Sequence, residues 1–298
     1  MWAFPPLMVL AQRASHNPQL IILCILSPTL FLDRSLRAIK NERVVKGTPI
    51  QPGENMNQRQ ILVEKPDYLY LCAPVNALVE GIYEEKIPLS EIKKHGDFGL
   101  GTFNHLDGEM VLLDGRVYQI TGDGQVNLIT EDSVLTPFAA VTFYNPLSHE
   151  DLDKEMPYES FLVWLRDLLP SPNIFYALRM EGIFSRMKLR SVPRQENYKP
   201  LVEVAKEQSV FHFQDINGTL AGFFTPSFLP SLSVPGLHLH FLSQDLQHGG
   251  HLLECVPKQI RVGVQMIFHL ELSLPKSLDY LTWDFQRDIR EDLHKAEK

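Results

Sequence analysis

The sequence predicts an α+β protein of two sheet-based lobes, with mixed or antiparallel sheets, a few helices and a metal site in the β-rich second lobe near the cleft. Three observations predict this. Short apolar runs recur from Tyr68 onward, separated by Asp-Gly and Asn-Gly turn dipeptides. Few stretches carry helical spacing, the clearest being Tyr158–Leu169, YESFLVWLRDLL. The 298 residues are 44% hydrophobic and 10% aromatic, enough for a packed core, so disorder as the main state is excluded.

Residues 1–55 stand apart. They carry six basic and three acidic groups, +3 against −11 for the remainder of a chain whose net charge is −8. Leu20–Leu32, LIILCILSPTLFL, is about 13 residues long, short of the roughly 18–20 that span a bilayer, and contains Pro28. No small-x-small cleavage site follows it, and Leu23 before Cys24 spoils a lipoprotein-type site. Three readings stay open: an extension outside the core, an export or anchor signal, or a part of the core. A cytoplasmic protein is expected; export or anchoring through residues 1–32 is the alternative, and only that brings membrane contact.

Residues 56–150 read as an N-terminal α/β lobe. Tyr68–Cys72 is strand-like, Val75–Tyr83 a short helix, and Leu89–His95 a helical turn that Ser90 is placed to cap. Gly96–Gly101 is a glycine-rich bend. Met110–Leu113 and Val117–Ile120 form a hairpin through Asp114-Gly115; Asp123-Gly124 turns into Val126–Ile129, and Ala139–Tyr144 is a further strand. Residues 145–156 are polar and read as a linker.

Residues 151–298 read as a C-terminal β-rich lobe with the metal site and a tail. After the Tyr158–Leu169 helix, ended by Pro170 and Pro172, come strands Ile174–Ile183 and Met187–Val192 and a short helix, Leu201–Ser209. Val210–Gln214 and Leu220–Phe224 are read as flanking a hairpin turn at Asn217-Gly218. Leu237–Leu242, His251–Val256 and Ile260–Leu274 complete the strands, and Asp284–Lys298 is a charged tail.

The acidic body repels phosphate backbones, which argues against nucleic acid as a partner. Cys24, Cys72 and Cys255 are odd in number and scattered, so neither a disulfide framework nor a CxxC metal knuckle is expected. Gly236–Cys255, GLHLHFLSQDLQHGGHLLEC, carries the chemistry. His238 and His240 share one face of a strand, and His251 opens the returning strand after a glycine pair. Three imidazoles converging this way leave coordination positions open, the pattern of a catalytic site. Zinc is the first expectation, with manganese, iron, cobalt or nickel as alternatives. His248 is a candidate fourth ligand more suited to solvent; His105, His212 and His269 read as ordinary. Glu109, after the Asp107-Gly108 turn, can project into a cleft. Arg186, Lys188 and Arg190 alternate onto one strand face, where at least one is expected to meet an anion.

The segment HGDFGLGTFNHLDGEM (His95–Met110) resembles the bacterial α-acetolactate decarboxylases, as do TPFAAVTFY (Thr136–Tyr144), RSVPRQ (Arg190–Gln195), NGTLAGFFTPSF (Asn217–Phe228) and PGLHLHFLSQD…GGHLLE (Pro235–Glu254). The resemblance runs from about Tyr68 to the C-terminus. It implies zinc on His238, His240 and His251, Glu109 added to the metal site, Thr102 lining the cleft, Arg190 aimed at the substrate, and Glu297 folded back into the site. It implies decarboxylation of (S)-2-acetolactate to (R)-acetoin and CO₂, within acetoin and 2,3-butanediol formation from pyruvate, with no organic cofactor and a homodimer. Catalytic roles fall on Arg190, Glu297 and Glu109. Two positions depart from the family pattern: Cys72-Ala73-Pro74 where a Ser-Thr pair is usual, and Leu246 where an arginine often stands. They motivate one alternative, a drifted small-molecule-binding relative. A cupin-like metal oxygenase is the other; it wants a glutamate where Gln244 stands.

Overall fold

The computed structural model describes residues 67–297. Readings that fall on residues 1–66, Cys24 and the apolar run among them, lie outside the described residues. With 43% of the described residues in strands and 19% in helices, the fold is α+β with sheets dominant.

The first sheet has seven strands in the order β14-β1-β8-β3-β4-β5-β6. They are β1 (Leu69–Leu71), β3 (Phe98–Thr102), β4 (Glu109–Leu113), β5 (Arg116–Ile120), β6 (Val126–Ile129), β8 (Ala139–Thr142) and β14 (Leu270–Leu272). Side chains alternate across it as the two-residue period requires. Phe98, Leu100, Val111, Leu113 and Ala140 face the second sheet, while Met110, Leu112, Ala139 and Val141 face Leu89 and Ile92 of α2 (Leu89–His95). The Asp114-Gly115 hairpin forms as expected. Both residues have positive φ, 51° and 76°, the geometry a two-residue turn needs to match strand twist.

The second sheet comprises β10 (Phe175–Ser191), β11 (Ser209–Thr225), β12 (Gly236–Ser243), β13 (Gly249–Ile267) and the edge strand β9 (Ser148–Leu152). Because β10 pairs with β13 as well as β11, four antiparallel strands close on themselves. Tyr176, Leu178, Met180, Phe184, Leu239, Phe241 and Val262 pack with Phe161 and Leu165 of α3 (Tyr158–Asp167) in the core of this half. A small pair, β2 (Ile87–Pro88) with β7 (Leu135–Thr136), lies apart.

Several local expectations are corrected. Asn217-Gly218 is not a turn: β11 runs straight through it, with Gly218 opposite both Gly182 and Ser243. A Cβ on Gly218 would come within 2.4 Å of the Leu242 carbonyl, so this glycine serves close strand approach. The two strands expected over residues 174–192 are one, β10, with bulges against β13. The expected linker holds β9, whose SHEDL sequence is polar because it is a solvent-facing edge. The helix at Val75 is only α1 (Val75–Val79), stopped before Gly81 at φ 90°. Ser90 does not cap α2; Pro88 occupies the N-cap position and no side chain caps it. The helix at Leu201 is α4 (Leu201–Val204) plus a 3₁₀ turn, and Ser209 already belongs to β11. The run from Ile260 divides, β13 ending at Ile267 and β14 returning to the first sheet beside β1. The charged tail ends in α6 (Arg290–Ala296), preceded by α5 (Leu278–Thr282). No helix among the described residues is long and apolar enough to cross a membrane.

Candidate metal centre

Strand register builds the centre. His240 on β12 lies directly opposite His251 on β13, and His251 lies opposite Arg190 on β10. His238, two residues before His240, points to the same face. One ligand nitrogen from each of the three histidines falls within 4.8 Å of the others, and all three residues have 9% exposure or less. From the facing sheet, Gly108 at φ 80° reverses the chain so that Glu109 starts β4 pointing inward. Gly250, φ 143°, lies within β13 and lets that strand run close to β10 beside His251: a Cβ there would come within 2.6 Å of the Arg190 carbonyl.

Glu297 follows α6 and enters from the third side. Its Oε2 lies 3.5 Å from His251 Nε2, 3.7 Å from His238 Nε2 and 3.7 Å from Arg190 Nη2. Arg190 Nη1 donates to Glu109 Oε1 at 3.0 Å, and Glu109 Oε2 lies 3.4 Å from His240 Nε2. Thr102 borders the same cavity and donates through Oγ1 to the Gly108 carbonyl at 2.6 Å, bracing the turn before Glu109. The seven residues singled out in the sequence, His238, His240, His251, Glu109, Arg190, Glu297 and Thr102, thus line one cavity. Spacing gave no sign of its apolar walls, Val75, Leu78, Leu106, Phe138, Val192 and Leu201, which come from α1, α4, the 3₁₀ turn at Asn104–Leu106 and the residues just before β8 and just after β10.

The electrostatics suit a cation. Burial holds the His238 and His251 imidazoles well below their ordinary range, with neighbouring histidines and Arg190 adding to it. Burial likewise lowers His240 to about 3, so all three rings are neutral and ready to ligate. His240 Nδ1 lies 2.8 Å from the Met110 carbonyl; a carbonyl only accepts, so Nδ1 carries the proton and Nε2 keeps its lone pair for the cavity. Burial raises Glu109 to about 7 against the pull of Arg190, and raises Glu297 in the same way. Among the described residues, Arg190 Nε, His240 Nε2, His251 Nδ1 and Glu297 Oε2 are buried polar atoms without a hydrogen-bond partner. Such atoms are costly, and four in one cavity mark a place built for something bound. Three neutral imidazoles with carboxylates alongside fit one divalent ion such as zinc.

Other residues stand elsewhere. His248 is exposed and packs against Phe213 with ring centroids 4.7 Å apart. His212 and His269 are exposed, and His105 pairs with Glu84 at the surface. Arg186 is exposed and Lys188 half-buried, so of the three alternating cations only Arg190 is buried against carboxylates. Gln244 sits on the exposed turn beyond β12, accepting from Asn217 Nδ2, away from the histidines. Leu246, 41% exposed, is on the same turn. Cys72 and Cys255 are buried free thiols; burial pushes Cys72 up to about 12 and Cys255 higher still.

Fold and site together define an α+β protein with a three-histidine centre able to hold one metal ion, set between two sheets beside a buried arginine and two carboxylates. The family model described as alpha-acetolactate decarboxylase matches residues 69–287. The chain is 37% identical to the alpha-acetolactate decarboxylase of Bacillus licheniformis over 233 residues, 78% of this chain and 92% of that one. It is 38% identical to that of Methanosarcina mazei over 259 residues, 84% and 90% of the two chains. The crystal structure of the Bacillus subtilis strain 168 enzyme superposes with a TM-score of 0.75 at 34% identity, covering 77% of this chain and 99% of that one. This chain belongs to the alpha-acetolactate decarboxylase family.

Proposed function

We propose that this chain is a carboxy-lyase that converts (S)-2-acetolactate to (R)-acetoin and CO₂, with one divalent metal, zinc first, held by His238, His240 and His251. The observation that carries the reading is the single cavity where three neutral imidazoles meet Arg190, Glu109 and Glu297. When bound, the ion supplies the Lewis acidity that stabilises negative charge left as the carbon–carbon bond breaks.

This chain's residues do the rest. Loss of CO₂ leaves an electron pair that delocalises into the neighbouring ketone, and the carbon must then take a proton. Arg190, buried with Nε unpartnered, offers a donor for the substrate carboxylate or the developing charge. Glu297, raised by burial, is suited to hold a proton and deliver it from one side, as a chiral product requires. Glu109 orients Arg190 through the 3.0 Å bond and completes the metal surroundings. The apolar walls keep out water that would deliver protons to either face. The same reading carries a cytoplasmic homodimer whose body divides near residue 150, feeding acetoin and 2,3-butanediol formation from pyruvate.

The test is elemental analysis and acetoin production from racemic acetolactate on one purified sample, with and without chelator. About one metal per chain and chelator-sensitive acetoin are expected. Metal without acetoin would overturn the decarboxylase and favour a binding protein. Glu297→Gln should keep the metal and lose turnover by about 10²–10³; normal decarboxylation by that variant would remove Glu297 as proton donor.

A further inference from the structure

Glu109, Arg190 and Glu297 each sit beside an irregular stretch of chain, and all three stretches are tied to one short segment, Tyr83–Glu85. The Tyr83 carbonyl accepts from the His105 amide at 2.9 Å, and the Tyr83 hydroxyl donates to the Lys199 carbonyl at 2.8 Å. The Glu84 carboxylate accepts from the Tyr198 hydroxyl and lies 3.0 Å from His105 Nδ1, which is itself 2.8 Å from the Tyr198 hydroxyl. The Glu85 amide donates to Asn104 Oδ1 at 3.2 Å, and Asn104 Nδ2 donates back to the Glu85 carbonyl at 2.9 Å. The Glu85 carboxylate accepts from Ser277 Oγ at 2.5 Å, at the start of the C-terminal segment that leads to Glu297. Gln195, on the loop beyond Arg190, donates its amide to the His105 carbonyl at 2.8 Å.

Two features separate this from ordinary packing. His105 and Leu106, adjacent and neither of them glycine, both lie in the left-handed region, with φ of 64° and 52°. Such a conformation is strained for a residue with a Cβ and persists only where its surroundings over-determine it. The strained pair immediately precedes the turn that presents Glu109. The second feature is Glu85, a carboxylate only 5% exposed, where an apolar residue would serve mere packing better.

We propose that Tyr83–Glu85 is the positioning node of the site: through His105 it fixes the turn that presents Glu109, and through Ser277 it anchors the segment that presents Glu297. Its side chains do not line the cavity, so these are positioning residues. The proposal rests on the reading above in taking Glu109 and Glu297 as groups that serve the metal and the proton.

The test is a pair of double-mutant cycles on the full chain. The first reads the zinc dissociation constant by chelator competition and needs no substrate. His105→Ala is expected to weaken zinc about tenfold, and to add less than twofold when Glu109 is already Gln. His105→Gly relieves the backbone strain yet lacks the ring, so it should fall with the alanine variant, while Tyr198→Phe gives a smaller loss in a chain whose melting temperature is unchanged. Equal loss in both Glu109 backgrounds, or wild-type affinity in His105→Gly, would overturn the node. The second cycle reads kcat: Ser277→Ala should lower kcat about tenfold with KM within twofold, and do nothing further in Glu297→Gln. Additive losses there would overturn the tail half of the proposal. A wild-type chain that binds zinc but makes no acetoin would sink the decarboxylase reading, while the zinc cycle still decides the node.

Discussion

Strand β10 carries two arginines against carboxylates, and they differ in how much of their bonding is used. Arg179 has every nitrogen engaged: Nη1 and Nη2 donate to Asp114 at 2.7 and 3.2 Å, and Nε and Nη2 donate to Glu181 at 3.0 and 2.8 Å. Its partners are half or more exposed. Arg190, only 5% exposed, makes one good bond to Glu109, stands 3.7 Å from Glu297, and leaves Nε without a partner. A guanidinium whose three nitrogens all donate ties its surroundings together. One left open in a dry cavity, with neutral histidines beside it, is built to meet something else.

The heaviest loss comes from removing the histidine side of the Arg190 cavity. His240→Ala should abolish stoichiometric zinc and lower kcat/KM by about 10³ or more, read by elemental analysis and acetoin release. Zinc at a thousand times its dissociation constant should stabilise the wild-type chain by about 4 kcal/mol, a rise in melting temperature of roughly 8–16 °C. That rise should vanish in His240→Ala. A variant that keeps the full zinc-induced shift would show that the ion binds elsewhere.

Arg190→Lys comes next. Lysine keeps the charge but loses the planar fork and its second direction of donation. A fall in kcat of about 10², with zinc content unchanged, is expected. Activity within threefold of wild type would mean that charge alone suffices and that the open Nε has no task.

How much of this was legible in the chain follows from the same physics. Strand alternation made His238 and His240 readable, and the glycine pair before His251 made its return readable. Spacing showed Arg190 only as one of three alternating cations, and family likeness singled it out, since the bulge between Lys188 and Leu189 and the facing Glu109 are tertiary facts. Asp114-Gly115 and Asn217-Gly218 look alike as dipeptides. One is a turn; the other lies within a 17-residue strand because its neighbours in the closed sheet leave no room for a Cβ. The polar run at Ser148–Leu152 read as a linker because an edge strand and a loop share the same composition. The carbonyl of Met110 that sets the His240 tautomer has no sequence signature at all, because any residue supplies one. Glu297 came from family likeness rather than spacing, and the family match itself ends at residue 287, before α6.

The mildest change falls at Arg179, whose nitrogens are all engaged. Arg179→Met keeps much of the side chain's apolar stem over the sheet while releasing Asp114 and Glu181 to water. Asp114 is 72% exposed and Glu181 50%, so both recover hydration at little cost and their mutual attraction to Arg179 is already screened. Stability should fall by no more than about 1 kcal/mol, read by denaturant midpoint with the slope unchanged. Zinc affinity and kcat should stay within twofold, because Arg179 lines a different cleft from the histidines. A tenfold loss of turnover from Arg179→Met would show that the two ends of β10 are coupled, and engagement of every nitrogen would then fail as the mark that separates a structural arginine from a functional one.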